Sequence, residues 1–174
     1  RLNMEQCSSQ LTAEYKARLV ERLLPVERGS LTDLTGGFGV DFSFLAPLFR
    51  NAVYVERNSD LCEMAQHNLP LLGAGHARVE CAQAEDFLDG AGQQDLIFLD
   101  PARRDDAGRK VVALSDCSPD VAALSPALLS RSRVVMVKLS PMLDIGQALL
   151  SLHAVREVHT VSVDGECREL LLVL

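Results

Sequence analysis

Residues 31–41 read LTDLTGGFGVD, and this stretch decides the fold. A short apolar strand, Leu31 to Thr35, carries Asp33 at its end. A tight turn with Gly36, Gly37 and Gly39 follows, and then a helix-like run from Val40 to Phe49. Glycines serve where backbone takes a positive φ or comes close to a ligand. In dinucleotide enzymes such a turn abuts a pyrophosphate at a helix N-terminus, where a carboxylate would repel it. The spacing G-x-G-x-x-G also fails, because its third glycine position holds Phe42. An acid beside glycines suits a ligand with an ammonium group and no phosphates.

The pattern repeats along the chain. Val53 to Glu56 is a second apolar strand ending in an acid, where a doubly wound fold places the carboxylate that binds ribose hydroxyls. A third strand, Arg78 to Gln83, leads into Ala84-Glu85-Asp86, and a fourth, Asp95 to Leu99, delivers Asp100-Pro101-Ala102-Arg103-Arg104. Helical stretches separate these strands, so their polar ends converge on the carboxyl edge of one parallel sheet, where ligands bind. S-adenosylmethionine, with an amino acid and a ribose, matches these groups.

Four motifs carry a family resemblance: DLTGGFGVD, YVERN, LIFLDPARR and VKLSPMLDI. The chain resembles class I S-adenosylmethionine-dependent methyltransferases, most of all bacterial RNA methyltransferases with a THUMP-like domain. The resemblance implies a Rossmann-like α/β fold with a seven-stranded, mostly parallel sheet and a C-terminal antiparallel hairpin. Its last strand slips between strands five and six. It also implies cofactor contacts from Asp33, Thr35, Gly36, Gly37, Phe38, Gly39, Glu56, Arg57, Gln83 and Ala84. Asp100, Pro101 and Arg103 match the catalytic D/N-P-P-x motif. Two departures stand out. Gln83 replaces the usual acid, and an amide accepts from an adenine amine without charge assistance. Ala102 and Arg103 replace the second proline and the aromatic, although a guanidinium plane also stacks on bases.

Several residues keep a plainer reading. Asp33 is either an ammonium partner or a cap for the turn after it. Arg57 and Asn58 flank the adenine or merely start a helix. Glu85 and Asp86 suit a helix dipole. Arg104, Arg109 and Lys110 form a basic rim for phosphate or a solvated loop. Lys16 is read as solvent-facing, the alternative being a reach to the cofactor carboxylate. Cys117 precedes Ser118-Pro119 but is not where pyrimidine C5 enzymes keep their thiol; there the chain reads Lys138-Leu139-Ser140-Pro141.

The ends and composition bound the rest. Ser8-Ser9 can cap a first helix whose apolar residues Leu11, Tyr15, Leu19 and Leu23 recur every four positions, ending at Pro25. A helix from about Asn58 to Pro70 buries Leu61, Met64, Ala65 and Leu69; others are expected near Pro119–Leu129 and Asp144–Leu152. Strand five is Val134 to Leu139, and Val158–Val163 and Arg168–Val173 flank the hairpin turn Asp164-Gly165. Among 174 residues, 48% are hydrophobic and 24% charged, an ordinary globular balance for one domain. Five scattered cysteines predict a reducing cytoplasm, no disulfide framework and no metal. No membrane segment is expected. The net charge of −7 disfavours nonspecific grip on nucleic acid. The first residue is Arg1 and the last run is the apolar Leu170–Leu174, so residues 1–174 are read as an excised catalytic domain, residues 1–25 leading into it. A flanking RNA-binding domain would hold the RNA. The function expected is methylation of a base nitrogen in RNA. The alternatives are a small-molecule or protein methyltransferase, or a noncatalytic domain that binds cofactor or a partner.

Overall fold

A computed structural model describes residues 7–103, 114 and 117–174. The expected Arg104, Arg109 and Lys110 rim lies outside the described residues.

The chain alternates strands and helices: α1 (Gln10–Leu23), β1 (Ser30–Asp33), α2 (Val40–Leu45), β2 (Asn51–Glu56), α3 (Ser59–Leu71), β3 (Arg78–Cys81), α4 (Ala84–Gly90) and β4 (Gln94–Leu99). After these come β5 (Ala102–Arg103), β6 (Cys117–Ser118), α5 (Val121–Arg131), β7 (Ser132–Leu139), α6 (Ile145–Ser151), β8 (Glu157–Val163) and β9 (Glu166–Val173). The main sheet has seven strands in the order β3-β2-β1-β4-β7-β9-β8. Pairings from β3 through β7 are parallel, whereas β9 runs antiparallel to both β7 and β8. The C-terminal hairpin therefore inserts its last strand between β7 and β8, as expected. Its turn residues Asp164 and Gly165 have φ of 54° and 80°, the left-handed pair that a tight hairpin requires.

Strand alternation sorts the core into two layers. Leu31, Tyr54, Leu96, Phe98, Met136 and Leu171 face α1, α2 and α3. Val55, Ile97, Leu99, Val135, Val137 and Leu172 face α4, α5 and α6. Central strands buried on both faces read as continuous apolar runs, which is why LIFL and VVMV stand out in the sequence. Among the described residues no helix is long and apolar enough to cross a membrane.

Several local expectations need correction. The run Val40 to Phe49 is not one helix: α2 stops at Leu45, and a 3-10 turn covers Ala46–Leu48. Pro47 lacks the N–H that a continuing α-helix would use. The third strand ends at Cys81, and Gln83 is instead the N-cap position of α4. Leu11 is 60% exposed and Met64 45% exposed, so neither belongs to the core. The inward stripe of α1 is Thr12, Ala13, Lys16, Leu19 and Val20, offset by about one position. Lys16 is fully buried rather than solvent-facing. The small antiparallel ladder β5–β6, which pairs Ala102 with Ser118 and Arg103 with Cys117, was not foreseen.

Candidate active site at the carboxyl edge

Strand order reverses between β1 and β4, and a crevice opens there at the strands' carboxyl ends. A cavity of about 770 Å³ occupies it, within the range of small-molecule sites. Its wall includes Asp33, Thr35, Gly36, Gly37, Phe38, Gly39, Glu56, Arg57, Gln83, Ala84, Asp100 and Pro101. Every residue expected at the site is thus on one cavity except Arg103, whose backbone is in β5 and whose side chain lies outside the description.

The glycine turn is held from several sides. Glu56 Oε2 accepts from the Gly37 N–H at 2.9 Å, and Oε1 accepts from the Asn58 N–H at 2.9 Å. One carboxylate at the end of β2 thereby ties the turn after β1 to the start of α3. The Tyr54 hydroxyl donates to the Gly37 carbonyl, and the ring packs edge-on to Phe42 at 5.6 Å. Phe42, which breaks the dinucleotide pattern, is fully buried core. Gly36 has no room for a side chain, since a Cβ would sit 2.1 Å from the Tyr54 ring. Gly37 has φ of 55°, a conformation that favours glycine.

Asp33 fulfils the cap reading while also lining the cavity. Its Oδ1 accepts from the Thr35 N–H at 2.9 Å and from the Thr35 hydroxyl at 3.3 Å. Thr35 Oγ1 in turn accepts from the Asp100 N–H at 2.6 Å, stitching the end of β1 to that of β4. Burial pushes the Asp33 carboxyl up to about 8; the Thr35 N–H opposes this, and the charges of Asp41 and Asp100 add to it. Asp33 therefore favours its protonated form at neutral pH. Between pH ~4 and ~8 the folded state holds a proton that the unfolded state lacks, so stability falls as pH rises through that window. Asp33→Asn keeps the Thr35 contacts and removes the penalty. Its Tm should exceed that of wild type by a gap that widens from pH 5 to pH 8.5, at about 2–4 °C per kcal/mol. An unchanged gap across that range would refute the protonation argument.

Asp100 sits above a buried charge cluster that the motif reading did not foresee. Lys138, at the end of β7, contacts Asp100 Oδ2 at 2.6 Å, Asp41 Oδ2 at 3.3 Å and the Ser8 hydroxyl at 3.0 Å. Lys16 of α1 pairs with Asp41 Oδ1 at 3.0 Å and with Glu169 of β9. Ser8 Oγ lies 2.7 Å from both Asp41 and Glu169, and its single proton serves one of them at a time. The two lysines face three carboxylates here, and Asp33 lies beside them. An extra positive charge in the cavity is thus favoured. Burial raises the Asp100 carboxyl and outweighs the lowering by Lys138; its side chain remains 39% exposed toward the cavity. Burial alone would lower the Lys138 ammonium, but Asp100 and Asp41 hold it above its usual value.

The remaining residues take plainer places. Asn58 caps α3, accepting from Asp60 N–H at 2.9 Å, and Glu85 and Asp86 are first-turn acids of α4. Gln83 makes no capping hydrogen bond and is exposed at the cavity wall. Arg57 donates to the Ser118 hydroxyl at 3.1 Å, reaching across to the β5–β6 ladder. Cys117, in that ladder, is buried at the cavity wall. The signals for the missed residues were present: Lys138 and Glu169 are charges embedded in apolar strand sequence. A buried charge demands a partner.

No protein-family model matches the chain, and a search of curated proteins finds no match. Solved structures do match. A Porphyromonas gingivalis W83 protein described as a "putative methyltransferase" is 36% identical over the whole of this chain, with a TM-score of 0.85. This chain spans 42% of that protein's length. An RNA methyltransferase from Salinibacter ruber, in complex with S-adenosyl-L-homocysteine, is 17% identical, with 96% of this chain and 91% of that one covered and a TM-score of 0.61. A precorrin-6y C5,15-methyltransferase from Geobacter metallireducens GS-15 is 14% identical, with 99% and 91% covered and a TM-score of 0.69. These neighbours act on different acceptors, so what they share with this chain is architecture. The chain has the Rossmann-like fold of class I methyltransferases, with the mostly parallel seven-stranded sheet and inverted C-terminal strand described above.

Proposed function

We propose that residues 1–174 form the catalytic domain of an S-adenosylmethionine-dependent methyltransferase that methylates a base nitrogen in RNA. The observation that carries this reading is the acid-rich cavity: Asp33 and Glu56 flank a glycine turn on one side, and Asp100 stands on the other. The residues fit the cofactor. Asp33, a carboxyl with no counter-cation among the described residues, faces the amino-acid end, and the glycine turn lies under it. Glu56 takes the ribose diol, while Arg57, Gln83 and Ala84 border the adenine. The bound cofactor supplies an electrophilic methyl on a sulfonium.

The chain's own residues do the rest. Asp100 accepts a hydrogen bond from the target amine, orients its lone pair and takes up the proton released. Pro101 stiffens the loop. Arg103 contacts the base or a phosphate. Alignment and desolvation supply most of the rate enhancement such a site needs. A nitrogen acceptor suits an arrangement with no thiol in the Ser140-Pro141 segment directly after β7. The basic residues after Arg103 and a flanking RNA-binding domain would offset the net charge of −7.

Calorimetry should detect S-adenosylmethionine binding, weakened at least about tenfold by Glu56→Ala, because that change removes a ligand carboxylate and unties the Gly37 and Asn58 N–H groups. No binding by wild type at millimolar cofactor would sink the cofactor assignment. Transfer of labelled methyl to RNA from a strain lacking the gene, with nucleoside mass spectrometry, tests the acceptor. Label on protein or small molecules alone would favour the alternative acceptors.

A further inference from the structure

We infer that Lys138 is the positioning residue of the reaction, holding Asp100 ionised and correctly turned toward the acceptor. This rests on the reading of Asp100 given above. The geometry supports it from three directions. Lys138 emerges from the last turn of a buried strand, and its side chain is 7% exposed, so it has little freedom to serve solvent or substrate directly. Its ammonium contacts Asp100 Oδ2 at 2.6 Å, the shortest of its contacts. It is itself fixed from behind by Asp41 at the start of α2 and by Ser8 before α1. Three elements therefore converge on one ammonium, and that ammonium meets the acceptor loop.

The chemical need is specific. A carboxyl in a half-buried site beside other acids tends to keep its proton, and a protonated Asp100 could not take up the proton that the methylated amine releases. Asp41 disfavours the Asp100 anion, whereas Lys138 and Lys16 favour it; Asp33 and the Cys7 thiol, both raised by burial, are its other titratable neighbours. Lys16 is already engaged by Glu169 and Asp41, so direct contact falls to Lys138. A lysine is suited here because its compact ammonium can be shared among a hydroxyl and two carboxylates.

The test is a titration of 13C-labelled aspartate carboxyls in wild type and Lys138→Met, with the Asp100 signal assigned by its loss in Asp100→Asn. The Asp100 midpoint should rise by about one pH unit or more when Lys138 is neutralised, and Lys138→Arg should largely restore it. Lys138→Gln makes the same comparison if the methionine variant does not fold. In methyl transfer to RNA by the full-length protein, Lys138→Met should lower kcat with little change in KM. It should move the acid limb of the pH profile upward, and it should cost nothing further in the Asp100→Asn background. An unmoved midpoint, or a full additional loss in the double variant, overturns the inference. Full turnover by Asp100→Ala would instead overturn the role of Asp100 itself, and the two failures are told apart by which variant shows them.

Discussion

Asp100→Ala is expected to cut methyl transfer by about 100-fold or more, the scale of losing a positioned proton acceptor, while cofactor affinity stays within a few-fold. The separation follows from geometry. Asp100 follows β4 whereas Glu56 ends β2, with β1 between them, and the Asp100 backbone N–H, from which Thr35 Oγ1 accepts, survives the substitution. Lys138 keeps Asp41 and Ser8 as partners, so the cluster beneath does not lose its compensation. Single-turnover rates and calorimetry on the same preparation measure the two quantities. Full activity of the variant, or a C5-methylpyrimidine product whose formation needs Cys117, would show that the reaction runs another way.

Gly36→Ala is the second large effect expected, from one added methyl group. The new Cβ would lie 2.1 Å from Cε2 of Tyr54, a ring that is fully buried and pinned to the Gly37 carbonyl and to Phe42. Neither ring nor turn can give way without the other. Overpacking of this kind costs about 1–3 kcal/mol. The turn also carries the N–H that Glu56 accepts, so relief by backbone movement displaces the cofactor cradle. A lower Tm and at least a tenfold weaker affinity for S-adenosylmethionine should appear together. Tyr54→Leu, which removes the opposing ring, should recover part of both. Wild-type binding by Gly36→Ala alone would mean that the turn adapts freely.

Much of this is legible in the sequence because the decisive features are local. Asp33, the glycines and Glu56 mark strand ends by type and spacing. LIFL and VVMV announce strands buried on both faces, and Asp164-Gly165 announces the hairpin that inverts β9. Helix faces were read less well. Leu11 and Met64 satisfied a four-residue period yet point outward, since burial is set by the neighbouring elements and not by the helix itself. Lys16 is hidden for the same reason: a lysine is ordinarily at the surface, and Glu169 and Asp41, distant in sequence, together with Ser8 make its burial tolerable. The β5–β6 ladder has two-residue strands, too short for any periodicity to register.

The position of β9 has a consequence for how the molecule assembles. Ser8 and Glu169 touch although 161 residues separate them, and Lys16 and Glu169 meet across 153. Contacts this remote are the costliest to close and are favoured last as a chain orders itself. Until the β8–β9 hairpin docks on β7 through β9, Lys16 lacks its Glu169 partner, and the floor beneath Asp100 is incomplete. A chain emerging from the ribosome can form the glycine turn and its carboxylate early. The acceptor side of the cavity waits for β9 to pair with β7.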